Sequence, residues 1–177
     1  MRTALNIARV AILALMATSG SGLAQGSGAE ARLKQLNITL PADSAPAANF
    51  VNSVQAGKLL FLSGNTPGGQ WPLKGKVGKD LTVEQGYQSA RQTGLIMLTK
   101  VRTALGSLDR VKRIVKVLGM VNSAEDFSDQ PKVVNGFSDL MVEVFGEAIG
   151  KHARSAVGMA GLPGNAPVEV EMIVKVE

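Results

Sequence analysis

From Val168 to Glu177 the chain alternates without a break. Val168, Val170, Met172, Val174 and Val176 fall on one side, and Glu169, Glu171, Ile173, Lys175 and Glu177 on the other. Side chains of a strand point alternately to its two faces, so this segment is a strand with one face in a core. That core needs a partner layer, and two helical stripes supply it. Tyr87, Ala90, Gly94, Leu98, Val101 and Leu105 recur at helical spacing, with Leu95 widening the stripe. Thr82 and Gln85 stand in capping-box spacing at its start, and Gly106 closes it. A second helix is expected from Pro131 to about Phe145, with Val133, Phe137, Leu140, Met141, Val144 and Phe145 inward.

Further strands are expected at Val51–Gln55 and Leu59–Ser63, joined by Ala56-Gly57 as a hairpin, then at 111–121 and at Ser155–Met159. In the strand 111–121, Val111, Val115, Val117 and Val121 are expected to share one face, and Lys112, Ile114, Lys116, Leu118 and Met120 the other. The order is β-β-α-β-α-β-β, an α+β fold with one sheet and both helices on one face.

The N-terminus reads differently. Arg2 and Arg9 precede an apolar run from Val10 to Ala17, and small residues lead to Gly22-Leu23-Ala24. That is the order of a secretory signal, and the run is well short of the roughly 20 residues of a spanning helix. The expected organisation is a signal peptide over 1–24, a lead with a short helix (Ala29–Leu36) over 25–44, and the domain over 45–177. Cleavage after Ala24 implies an exported, periplasmic or secreted product with no membrane association. The chain carries +5, of which Arg2 and Arg9 supply two, so the mature form is about +3. Its basic residues are scattered, apart from Lys112, Arg113 and Lys116, so no nucleic-acid partner is expected.

Chemistry narrows further by residue type. There is no cysteine, which excludes disulfides, thiolate zinc sites and a cysteine nucleophile. With one histidine, His152, and no acidic cluster, no metal is expected. No GxSxG is present, and nothing in the sequence orients His152 toward a serine. Gly75-Lys76-Val77-Gly78-Lys79 lacks the full phosphate-loop pattern. The informative stretch is Gly150 to Gly158. Arg154 stands where a loop becomes a strand, and Ala156, Gly158 and Ala160 leave space beside it. A guanidinium with room around it can grip a carboxylate through two parallel hydrogen bonds. The competing reading pairs Arg154 with Glu169 or Glu171 on a neighbouring strand. Glu169 suits a general base or a surface carboxylate, and Asn135 a ligand contact or a local cap.

Arg154-Ser155-Ala156-Val157, Leu162-Pro163 and Val168-Glu169-Val170-Glu171-Met172-Ile173 resemble the C-terminal signature of the RidA/YjgF family. Ala45-Pro46-Ala47-Ala48, Leu62-Ser63-Gly64 and Val134-Asn135 follow the family's order, and the resemblance spans roughly 35–177. It is nearest to a YjgF-like branch described as chorismate-mutase-like or under an endoribonuclease label. The resemblance implies a chorismate-mutase-like fold and a barrel-forming homotrimer with ligand clefts between subunits. It implies cofactor-free hydrolysis of enamines and imines of the 2-aminoacrylate type to keto acids and ammonia. In that implication Arg154 clamps the substrate carboxylate and Glu169 positions water, with Ser63 and Asn135 binding substrate. Phe50 falls near a family tyrosine and Ala156 replaces a cysteine two residues after the arginine, and both reshape the substrate pocket. The segment from Asn135 to Arg154 is also slightly longer. A non-catalytic trimeric binder of small carboxylates, and the endoribonuclease label, stand as alternatives.

Overall fold

A computed structural model describes residues 28–177 except Ala47. The expected signal peptide and one residue of the Ala45–Ala48 match lie outside the described residues. The elements are α1 (Ala29–Gln35), β1 (Ser53–Ala56), β2 (Leu59–Asn65), α2 (Val83–Leu105), β3 (Val111–Asn122), α3 (Gln130–Phe145), α4 (Glu147–Gly150), β4 (Ala153–Met159) and β5 (Val168–Val176). Five strands form one mixed sheet in the order β1-β2-β5-β3-β4. β1 and β2 make a hairpin turned at Gly57, whose φ of 58° is the left-handed conformation that glycine adopts freely. β4 runs parallel to β3, which requires the crossover that α3 provides.

The alternation of β5 is realised: Val168, Val170, Met172, Val174 and Val176 are buried beneath α2 and α3. The capping box also forms, Thr82 Oγ1 accepting from Gln85 N at 3.2 Å and Gln85 Oε1 from Thr82 N at 2.9 Å. Gly106 closes α2 in the left-handed conformation.

β3 departs from expectation. Its buried hydrophobic side chains are Val111, Ile114, Val117 and Val121, while Val115 is exposed. The register with β5 shifts between Val111 and Arg113 and again between Ile114 and Lys116. Each irregularity adds a residue and reverses the faces beyond it. Ile114 therefore replaces Val115 in the core, and Lys112 and Arg113 both reach solvent.

Three glycines bring α3 close to its neighbours. A Cβ on Gly136 would lie 2.0 Å from the Tyr87 carbonyl oxygen, and one on Gly94 2.8 Å from Leu140 Cδ2, so α2 and α3 cross in close contact. A Cβ on Gly119 of β3 would meet Val134 Cγ1 at 2.5 Å, so α3 also lies low on the sheet. α1 packs Ala29 and Leu33 into the same core, and Glu30 is bound by both Arg102 nitrogens facing it, at 3.0 and 2.6 Å. The opposite face of the sheet carries Val54, Phe61 and Val157, all exposed, with Leu118 and Ile173 partly so.

Candidate functional site

The low seat of α3 sets where Arg154 goes. Arg154, the second residue of β4, lies beside Val117, and its side chain leaves the sheet on the α3 side. Nη1 donates to Asn135 Oδ1 at 2.9 Å and to Ser138 Oγ at 3.0 Å, and Nη2 donates to the Pro131 carbonyl at 3.4 Å. Asn135 and Ser138 are three residues apart, so they face the same way from one helix. Both Nη1 hydrogens are thus used. Nε–H and one Nη2–H have no protein acceptor among the described residues, and two such donors suit a carboxylate. Asn135 spends its oxygen on Arg154 and keeps its amide hydrogens.

The alternative pairing of Arg154 with Glu169 or Glu171 does not occur. β3 separates β4 from β5. Glu169 alternates with the buried Val168 and Val170, so it points to the opposite face from the guanidinium. The structure therefore brings Arg154 and Asn135 together, and holds Glu169 in a second cluster beside Gly64, with Ser63 lining a neighbouring cavity alongside Glu171.

That second cluster forms where β2 is irregular. Pairing with β5 shifts between Leu62 and Asn65, so Ser63 and Gly64 stand opposite Glu171, and Gly64 lies against the Glu169 carboxyl. A Cβ on Gly64 would lie 2.2 Å from Glu169 Oε1, so only glycine admits the carboxyl there. Burial, and secondarily the charge of Glu171, raises the Glu169 pKa above the ordinary carboxylate value. Ser63 Oγ donates to the Val51 carbonyl at 2.6 Å, which leaves its lone pairs available to a ligand. Phe50 precedes β1 and is 54% exposed. Ala156 packs against the core edge on β4, two residues beyond Arg154.

One sequence reading changes here. His152 is oriented after all. Its Nδ1 lies 2.6 Å from the Gly150 carbonyl oxygen and its Nε2 3.0 Å from Ser138 Oγ. Ser138, not singled out in the sequence, is a member of the Arg154 cluster, and its spacing from Asn135 was the available signal. Arg154, His152, Ser138, Asp139, Val142 and Lys151 line an open concavity of about 470 Å³. The Gly75–Lys79 loop has no amides to offer a phosphate. Gly75 N donates to Asn165 O, Lys76 N to Asp80 Oδ2, Val77 N to Asn122 O and Gly78 N to Leu81 O. Lys76 Nζ is itself held by Asn122 Oδ1, Ser123 O and Ala160 O. Among the described residues no group of histidine, aspartate and glutamate is placed to hold a metal.

Comparison with known proteins identifies the family. Residues 30–175 match the family described as "YjgF/chorismate_mutase-like, putative endoribonuclease". The chain belongs to this RidA/YjgF family. It is 47% identical to Protein TCP17 of Trypanosoma cruzi over 82% of this chain and 92% of that one. The solved structure of Atu1372 from Agrobacterium tumefaciens, a protein of unknown function, superposes with a TM-score of 0.75 at 40% identity, covering 84% of this chain and 91% of that one. A 2-iminobutanoate/2-iminopropanoate deaminase of Dermatophagoides farinae is 29% identical over 79% of this chain and 95% of its own.

Proposed function

We propose that the protein hydrolyses reactive imines and enamines of 2-amino acids, the 2-aminoacrylate class, to 2-keto acids and ammonia. The observation that carries this is the Arg154 guanidinium, fixed by α3 with two donors turned outward. The substrate carboxylate binds those donors. The enamine takes a proton from water at its terminal carbon, or the imine at its nitrogen, to give the iminium; water then adds to the iminium carbon as Glu169 takes its proton, giving a carbinolamine. Glu169 returns the proton to the amine nitrogen and, as the C–N bond breaks, takes up the hydroxyl proton, so that the carbonyl forms and ammonia leaves, carrying that proton away as ammonium. A carboxyl with a raised pKa suits both directions of that transfer. Asn135 Nδ2 and the Ser63 oxygen supply further hydrogen bonds to substrate.

Since Arg154 and Glu169 lie on opposite faces of one chain, this chemistry needs a second subunit. The exposed Val54, Phe61 and Val157 on the open face of the sheet support a homotrimer in which that face is covered. The Arg154 cluster of one subunit then meets the Glu169 cluster of the next. The N-terminal signal pattern supports export, with cleavage after Ala24.

A second reading, a trimer that binds small carboxylates without turnover, draws on Phe50 and Ala156, which lack the hydroxyl and thiol of the family positions. Both readings are tested by measuring pyruvate and ammonia release from freshly generated 2-aminoacrylate, with the native protein and Arg154→Ala. Acceleration that disappears in the variant is expected. A folded trimer that gives no acceleration overturns the hydrolase and leaves the binder.

A further inference from the structure

The only histidine of the chain stands two residues before Arg154. Its ring is half-buried and meets Phe137 edge-on, with centroids 6.4 Å apart and planes at 80°. Both nitrogens are engaged. A carbonyl oxygen can only accept, so Nδ1 carries the hydrogen that goes to Gly150. In the neutral ring Nε2 is then bare, and the Ser138 hydroxyl donates to it. The same hydroxyl oxygen accepts Nη1–H of Arg154. Ser138 has one hydrogen. With that hydrogen held by His152, its lone pairs turn toward the guanidinium. A directional chain runs from Arg154 through Ser138 and His152 to the backbone at Gly150.

We propose that His152 is a positioning residue for Arg154: its bare Nε2 holds the Ser138 hydroxyl in the orientation that receives Nη1, and protonation of the ring releases the guanidinium. This rests on the reading of Arg154 as the carboxylate clamp only in its functional consequence, since the chain of bonds exists in the ligand-free protein.

Protonation places a hydrogen on Nε2, and Ser138 can no longer donate there. Nε2–H and Nη1–H would then aim at one neutral oxygen from two cations. The surrounding charges do not relieve this. Arg113 on β3 adds a third positive charge near the ring. Lys151 is paired with Glu147 at 2.8 Å. Asp139, which lines the same concavity, accepts the Tyr87 hydroxyl at 2.9 Å. Burial, followed by the charges of Arg154 and Arg113, lowers the His152 pKa below its ordinary value, against the opposing pull of the Gly150 carbonyl. The ring is therefore neutral and the clamp set at neutral pH, and the clamp loosens in acid.

The test is side-chain nitrogen NMR on the ligand-free protein, in which one histidine gives one unambiguous pair of ring signals. Arg154 signals are assigned by their loss in Arg154→Ala. At neutral pH the ring is expected as the Nδ1–H tautomer, and Arg154 is expected to show separate Nη1 and Nη2 resonances, the mark of hindered guanidinium rotation. These should average as His152 titrates. They should average at all pH values in Ser138→Ala and His152→Phe. In His152→Gln, where the amide oxygen can replace Nε2 as acceptor, they should stay separate and lose their pH dependence.

Pyruvate affinity is the second readout. It is expected to fall about tenfold in Ser138→Ala, the scale of a lost hydrogen bond to a charged group. It should fall likewise in the native protein through the His152 titration, but not in His152→Gln. An Nε2–H tautomer at neutral pH, or Arg154 resonances indifferent to Ser138→Ala and to the titration, overturns the proposal. Should His152→Phe fail to fold, Ser138→Ala decides alone. If the resonances behave as expected but pyruvate does not bind the native protein, the carboxylate reading fails and the positioning role stands.

Discussion

Gly64→Ala isolates the geometry around Glu169 from the stability of the fold. The added Cβ would sit 2.2 Å from Oε1, 3.2 Å from Cδ and 3.4 Å from Cγ of Glu169. Relieving the first overlap requires the carboxylate oxygen to retreat by about 1 Å or more. The obstruction is the mobile end of a side chain, so a χ adjustment suffices, costing about 0.5–1.5 kcal/mol. Gly64 is not among the glycines with positive φ, so alanine fits the backbone there. The loss of unfolded-state freedom returns about 0.4–1 kcal/mol. The two nearly offset, and the melting temperature should stay within a few degrees of the native value. Activity should not survive equally well. A displacement on the order of 1 Å in a catalytic group costs roughly 10²-fold. That corresponds to about 2.7 kcal/mol of barrier. The assay is kcat/KM for 2-aminoacrylate, with pyruvate followed continuously, beside a thermal melt of the same sample. A variant that melts like the native protein and turns over within twofold of it would refute the argument. A variant that unfolds would refute the claim that Glu169 can yield.

Gly136→Ala should behave in the opposite way, because its Cβ would meet the backbone oxygen of Tyr87 at 2.0 Å and no side chain can move aside. Overpacking of this kind costs about 1–3 kcal/mol, and the upper end is expected, seen as a melting temperature lower by on the order of 8 °C. The raised pKa of Glu169 gives stability a defined pH dependence. Below the unfolded value of 4.5 both states hold the proton and nothing is lost. As pH rises through the higher folded value, the unfolded chain ionises first and stability declines. Glu169→Gln lacks this penalty, so denaturant unfolding should find it more stable than the native protein at pH 7 and equal to it near pH 4.

The elements were largely legible in the sequence because each is specified locally. Thr82 and Gln85 lie three residues apart and make the cap by themselves, and the alternation of β5 needs no knowledge of its neighbours. β3 was misread at Val115 because periodicity assumes an unbroken pleat. The two register shifts that move Ile114 into the core depend on how β3 meets β5, which no local pattern encodes. The site divides in the same way. Arg154 and Asn135 were identified, and they do meet. That Arg154 and Glu169 face opposite sides follows from β3 lying between β4 and β5, a fact of strand order. The orientation of His152 is not legible because the Gly150 carbonyl that fixes its Nδ1 is a backbone group, invisible to motifs built from side chains, whereas Ser138 is betrayed only by its three-residue spacing from Asn135.

The central claim is that one subunit supplies Arg154 and another supplies Glu169. Arg154→Ala and Glu169→Gln are each expected to be inactive alone. Unfolded together and refolded as mixed trimers, they should regain about a quarter of native activity, since one subunit junction in four then pairs an intact Arg154 with an intact Glu169. Mixed trimers as inactive as the parent variants would contradict the account.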